Sequence, residues 1–115
     1  MHAYTWETVA VEQLTDSIRR RMIVGTNEML VRWEFRKGAV AARHSHPHEQ
    51  IVMMLAGKLR LTVGDDDTIM APGDIVVIPP DVPHEAQALE DTLVLDIFSP
   101  PRKDFLSGNR PLYLV

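Results

Sequence analysis

Residues 28–36, EMLVRWEFR, alternate by parity: Met29, Val31, Trp33 and Phe35 fall on one side, and Leu30, Arg32, Glu34 and Arg36 on the other. Period two is the signature of a half-buried strand. Residues 51–55 form a continuous apolar run closed by Gly57, after which Leu59, Leu61 and Val63 alternate with Lys58, Arg60 and Thr62. This predicts two strands joined by a tight turn. Gly64-Asp65-Asp66-Asp67 and Ala71-Pro72-Gly73-Asp74 are turn clusters, and the second leads into Ile75-Val76-Val77-Ile78, which Pro79-Pro80 stops. From Thr92 to Phe98, Leu93, Leu95 and Ile97 share one face while Val94, Asp96 and Phe98 share the other, so an acid sits on a face that otherwise reads as buried. Only residues 10–21, AVEQLTDSIRRR, suit a helical turn or two. About eight or more short strands, with breaks roughly every 8–12 residues, are expected to fold as an all-β antiparallel sandwich or barrel.

A chain of 115 residues supports one hydrophobic core, so a single domain over 1–115 is expected. Apolar residues at 45% and charged residues at 24% match ordinary globular proteins and argue against disorder. The net charge of −4 and the lone basic run Arg19-Arg20-Arg21 provide no field for a nucleic-acid backbone. The N-terminal stretch MHAYTWETVAVEQL lacks the pattern of a signal peptide, and no window approaches a membrane span. The absence of cysteine excludes disulfides and thiolate ligands and fits a cytoplasmic location. In the C-terminal stretch SPPRKDFLSGNRPLYLV, the apolar Phe105, Leu106, Leu112 and Tyr113 are expected to pack back on the body.

Three of the five histidines lie in RHSHPHEQ, residues 43–50. His44, His46, His48 and Gln50 share one parity, but in a straight strand the outer two would lie about 20 Å apart, too far for one ion. Metal bonds of about 2.0–2.1 Å require a fold-back. Pro47, which donates no backbone hydrogen bond, can end one strand after His46 and let Gln50 return on the next. His44 and His46 then project together with Gln50 facing them, and His84, on the stiff Pro79-Pro80-Asp81-Val82-Pro83 turn, is the best further ligand. His2 is terminal, His48 reads as a bystander near the rim, and Glu49 would point to the opposite face.

These residues resemble a known family. Gly38-x5-His44-x-His46-x3-Gln50-x6-Gly57 resembles the first cupin motif, with Gln where Glu is usual, and Gly73-x5-Pro79-x-Asp81-x2-His84 resembles the second. Asp81 and Ala88 depart from the Gly and Asn often found there. Fifteen residues separate Gly57 from Gly73, which suits the short hairpin between the motifs of small cupins. The resemblance implies an RmlC-like jelly-roll β-barrel with an N-terminal arm over 1–27, motifs over 38–57 and 73–88, and a C-terminal segment over 99–115. It also implies a homodimer and one divalent transition metal, Zn, Ni, Fe, Mn or Cu, inside the open end. Three imidazoles and a neutral amide would leave the ion's charge uncompensated, which favours Lewis-acid work on an anionic substrate.

Asp96 on the inward face of a late strand is a candidate acid or base, the alternative being a structural carboxyl bonded to nearby backbone. Arg102, after the stiff Ser99-Pro100-Pro101 bend, is a candidate two-point carboxylate clamp, the alternative being a solvated side chain beside Lys103 and Asp104. The string from Asp96 to Leu106, DIFSPPRKDFL, together with His-x-His-x3-Gln, is similar to the KdgF group of small cupins, which open 4,5-unsaturated uronates from pectin and alginate into linear keto uronates. By that resemblance His44, His46, Gln50 and His84 hold the metal, Asp96 is the catalytic acid/base, Phe98 shapes the pocket, and Arg102 binds a small sugar acid. Two other readings remain open at this level: a cupin dioxygenase for a phenolic or diketone substrate, and a non-catalytic small-ligand binder.

Overall fold

The computed structural model describes residues 1–108 and 110–115; residue 109, within the C-terminal segment, lies outside the described residues. Ten strands are present among the described residues: β1 (Glu12–Gln13), β2 (Ile18–Val24), β3 (Met29–Phe35), β4 (Val40–His44), β5 (Glu49–Ala56), β6 (Leu59–Val63), β7 (Asp66–Met70), β8 (Ile75–Ile78), β9 (His84–Ala88) and β10 (Thr92–Ser99). They form two antiparallel sheets, ordered β1-β2-β3-β10-β5-β8 and β4-β9-β6-β7. A short helix α1 (Lys103–Leu106) and one 3-10 turn at Trp6–Thr8 are the helices among the described residues. None is long and apolar enough to cross a membrane.

Parity decides which side chains enter the core. In β3, Met29, Val31, Trp33 and Phe35 are buried, and in β10 the buried set is Thr92, Val94, Asp96 and Phe98. The two strands pair with Asp96 opposite Val31 and Val94 opposite Trp33. Leu59, Leu61, Met70 and Ala88 close the same core from the smaller sheet.

Two expectations are corrected. The 10–21 stretch is not helical: it holds β1, a turn in which Leu14 and Thr15 donate to the Ile18 carbonyl, and the start of β2. Its Arg, Glu and Gln residues tolerate either state, and pairing of Ile18 with Phe35 buries the chain with period two. The run 51–55 and residues 59–63 are strands, but they do not pair as a hairpin. β5 lies between β10 and β8, whereas β6 lies between β9 and β7, so the Gly57 turn carries the chain from one sheet to the other. The hairpin between the two motifs is β6–β7, closed at Gly64-Asp65.

In the C-terminal segment, Phe105 is buried and Tyr113 half-buried as expected, but Leu106 and Leu112 are exposed. Leu114 is the buried anchor instead, bridging to Ala41.

Gly57 has φ +88°, and a Cβ there would lie 2.2 Å from the Asp91 carbonyl oxygen and 2.8 Å from the Thr92 Cα. Gly73 has φ +93° with nothing within 4 Å. Gly73→Ala should therefore cost only the left-handed backbone penalty, about 1–2 kcal/mol. Gly57→Ala adds a clash with rigid main chain and should cost at least about 3 kcal/mol. Urea unfolding of both variants checks this, and equal losses would contradict it.

Candidate metal centre and its pocket

His44 ends β4 and His84 begins β9, and the two residues are directly paired. Between Ala41 and His44 the register shifts by one residue, a β-bulge. That extra residue turns His44 to the same inward face as Ala41, from which simple alternation would have excluded it. The strand thus stops at His44 rather than after His46, and His46 lies in the connection that crosses to β5. The His46 carbonyl accepts the Asp81 N–H at 2.9 Å, tying the two motifs together. Asp81 has φ +66°, a left-handed conformation that Asp tolerates better than most residues, which accounts for its standing where Gly is common.

The ring centroids are 4.3 Å apart for His44 and His84, 4.9 Å for His46 and His84, and 5.8 Å for His44 and His46. One nitrogen from each lies within 4.8 Å of the others. Each Nδ1 faces a main-chain carbonyl: His44 to Ala42 at 2.7 Å, His46 to His48 at 3.0 Å and His84 to Val82 at 2.8 Å. A carbonyl only accepts, so each Nδ1 carries the proton and each Nε2 presents a bare lone pair. The His84 Nε2 is buried without a partner. Gln50, on β5, brings its Oε1 to 3.1 Å from the His46 Nε2, two acceptors with no proton between them. Converging buried acceptors lacking a donor fit a divalent cation, and the imidazole–amide set suits a transition metal. Glu49 is exposed, His2 is exposed, and His48 is half-buried with its ring 5.5 Å from His46.

Gln50 and Phe98 are directly opposite on β5 and β10, with Asp96 two residues along β10. Asp96 is 7% exposed, and its Oδ2 accepts the Trp33 indole N–H at 2.9 Å. Burial pushes its carboxyl up to about 7, opposed by the neighbouring Gln50 amide, the Trp33 N–H and the charge of Arg102. The Gln50 amide is adjacent, yet the Asp96 Oδ1 has no partner within hydrogen-bond distance.

Arg102 is buried, not solvated. Its guanidinium lies over the Phe105 ring at 4.0 Å and the Phe98 ring at 5.1 Å. Nε and Nη2 donate to the two carboxylate oxygens of Asp104 at 3.0 and 2.7 Å, so this edge of the expected two-point clamp is already taken. Nη1 donates to no described residue. Burial lowers the pKa of His44 and His46 to about 4 and lowers that of His84, and the Arg102 charge adds to each effect.

One cavity is lined by His44, Gln50, His84, Asp96, Phe98 and Arg102, with Trp33 and Tyr113 also in its wall. Trp33, Asp104 and Tyr113 were not marked by sequence reasoning. Trp33 was legible only as an inward strand residue, Asp104 only as a member of the DIFSPPRKDFL string, and Tyr113 only as an apolar residue expected to pack back on the body.

The family described as "Cupin domain" matches residues 31–98. The pectin degradation protein KdgF of Dickeya dadantii is 34% identical over 98 residues, covering 83% of this chain and 89% of that protein. Among solved structures, KdgF from Halomonas sp. superposes with a TM-score of 0.86 at 30% identity, covering 91% of this chain and 98% of the other. An RmlC-like cupin from Shewanella frigidimarina gives 0.87 at 29% identity, covering 91% and 96%.

In metal-free protein the depressed histidines contribute stability that is present above their ordinary value of 6.5 and is lost as pH falls through about 4. Asp96 acts in the opposite sense: its contribution is complete below the ordinary 3.8 and is lost as pH rises through about 7. With the metal removed by chelator, the melting temperature should fall between pH 6.5 and pH 4, and more steeply in Asp96→Asn, which lacks the opposing group. Equal slopes in the two proteins would contradict these assignments.

Proposed function

The chain belongs to the cupin family, and from that premise we propose that it is a metal-dependent enzyme that converts 4,5-unsaturated uronates, the products of pectin or alginate lyases, into linear keto uronates. The observation that carries this reading is one pocket shared by acceptors that fit a metal, a buried carboxyl with a near-neutral pKa, and a buried arginine. The similarity to a pectin degradation protein over most of both chains supports the substrate class.

A divalent ion held by His44, His46, His84 and Gln50 would supply Lewis-acid polarisation of a substrate oxygen. The chain's own residues supply the rest. Arg102, pinned on one edge by Asp104, offers Nη1 to the substrate carboxylate. Phe98 forms an apolar wall beneath the guanidinium and limits water around the sugar ring. Trp33 holds one oxygen of Asp96, leaving Oδ1 for the substrate.

The reaction is an isomerisation. The anomeric hydroxyl loses its proton and C1 becomes an aldehyde as its bond to the ring oxygen breaks; the enolate left across C4 and C5 then takes a proton at C4, which turns the C4–C5 double bond into a single bond and C5 into a ketone. Asp96 is the group that accepts the first proton and delivers the second. Burial raises the Asp96 pKa to about 7 in the metal-free pocket, and a bound cation would draw it back toward the ionised form that accepts the first proton. No oxidant enters this balance.

The test is loss of the conjugated-alkene absorbance when metal-loaded protein meets unsaturated galacturonate, with an oxygen electrode in the same cell. Turnover without oxygen uptake is expected. Asp96→Asn should keep its metal and lose about 10²- to 10⁴-fold in kcat. A wild-type protein that leaves the absorbance unchanged, or that consumes oxygen with it, would overturn the reading.

A further inference from the structure

The C-terminal residues 113–115 pair with the edge of β4 through an isolated bridge between Leu114 and Ala41. Ala42 N–H donates to the Tyr113 carbonyl at 2.7 Å, while Val40 and Val115 exchange two hydrogen bonds of 2.8 Å each. Leu114, 3% exposed, fastens this segment into the core. The attachment leaves Tyr113 in the wall of the cavity. Its ring lies parallel to the His44 imidazole, with 3.6 Å between centroids and 3° between planes. Its hydroxyl accepts a hydrogen bond from the Arg102 Nη2 at 3.3 Å.

Tyr113 therefore touches both halves of the site. On the His44 side, Ala42 links the two: its N–H donates to the Tyr113 carbonyl, and its carbonyl holds the His44 Nδ1 proton. His44 is further confined between the flat face of Tyr113 and the edge of His84. On the substrate side, Asp104 and Tyr113 share the Nη2 hydrogens of Arg102, which fixes the guanidinium plane and leaves Nη1 turned outward from that pair.

We propose that Tyr113 is a positioning residue for this pocket: its ring fixes the His44 imidazole, and its hydroxyl fixes the Arg102 guanidinium. The Arg102 part rests on the carboxylate-binding role given to that residue above. The His44 part does not.

Two variants separate the contributions. Tyr113→Phe keeps the stacked ring and loses the hydroxyl, and Tyr113→Leu loses both. Zn²⁺ titration against a competing chelator should give Tyr113→Phe the wild-type affinity and Tyr113→Leu an affinity lower by about 10-fold. With unsaturated galacturonate, Tyr113→Phe should raise KM by roughly 3- to 10-fold while kcat stays within about twofold, a split that general loosening of the fold would not produce. The inference is overturned if Tyr113→Leu binds Zn²⁺ as tightly as wild type, or if an active Tyr113→Phe enzyme has the wild-type KM. Should the wild-type protein turn over no unsaturated uronate, the functional reading fails on its own, and the zinc titration decides the inference by the same criterion.

Discussion

Each of the three imidazoles gives its Nδ1 proton to a main-chain carbonyl two residues away, and the rest of the site depends on that repeated bond. It fixes the tautomer and the ring rotation and leaves three Nε2 lone pairs free in a cluster with one nitrogen of each ring within 4.8 Å of the others. Without a cation, that arrangement is costly: neutral acceptors face each other in a buried space, and no protein donor relieves the His84 Nε2. Burial and Arg102 also resist the alternative remedy, protonation, by holding the imidazole pKa values low. The geometry is that of a site kept ready for a metal.

The two sheets bring side chains from five strands, β3, β4, β5, β9 and β10, to that region. Pairing of β4 with β9 sets His44 against His84, and the bulge in β4 aims His44 inward. Crossing to the larger sheet brings in Gln50, whose opposite number on β10 is Phe98, so Asp96 follows two residues along on the same face. Trp33 on β3 reaches Asp96 from the other side of β10. A buried carboxyl and a cluster of imidazole and amide acceptors that fits a metal are thus neighbours because of strand register.

Alternation made the strands, the core parity and the inward Asp96 legible in the sequence, since period two follows from backbone geometry alone. The spacing of His44, His46, Gln50 and His84 was legible because Pro47 and the Pro79-to-Pro83 turn leave few ways for those side chains to meet. What alternation does not encode is partner choice. Strands β5 and β6 look like a hairpin because a glycine lies between them, but whether a turn stays in one sheet depends on contacts such as those of Gly57 with Asp91 and Thr92. The helical reading of 10–21 failed for a related reason: local propensity there is weak, and pairing with β3 decides. Asp104 was missed because its pairing with Arg102, two residues away, depends on the local turn into α1, and Tyr113 because its role arises from where the chain's end returns onto β4.

The central claim is that the three Nε2 atoms and the Gln50 Oε1 bind one ion together. A crystal structure of the metal-loaded protein, with anomalous scattering recorded at the metal's absorption edge, tests it most directly. One peak bonded to all four atoms at about 2.0–2.2 Å is the predicted result. A pocket without a peak, or an ion held by Glu49 or His48 in place of these atoms, would contradict the account.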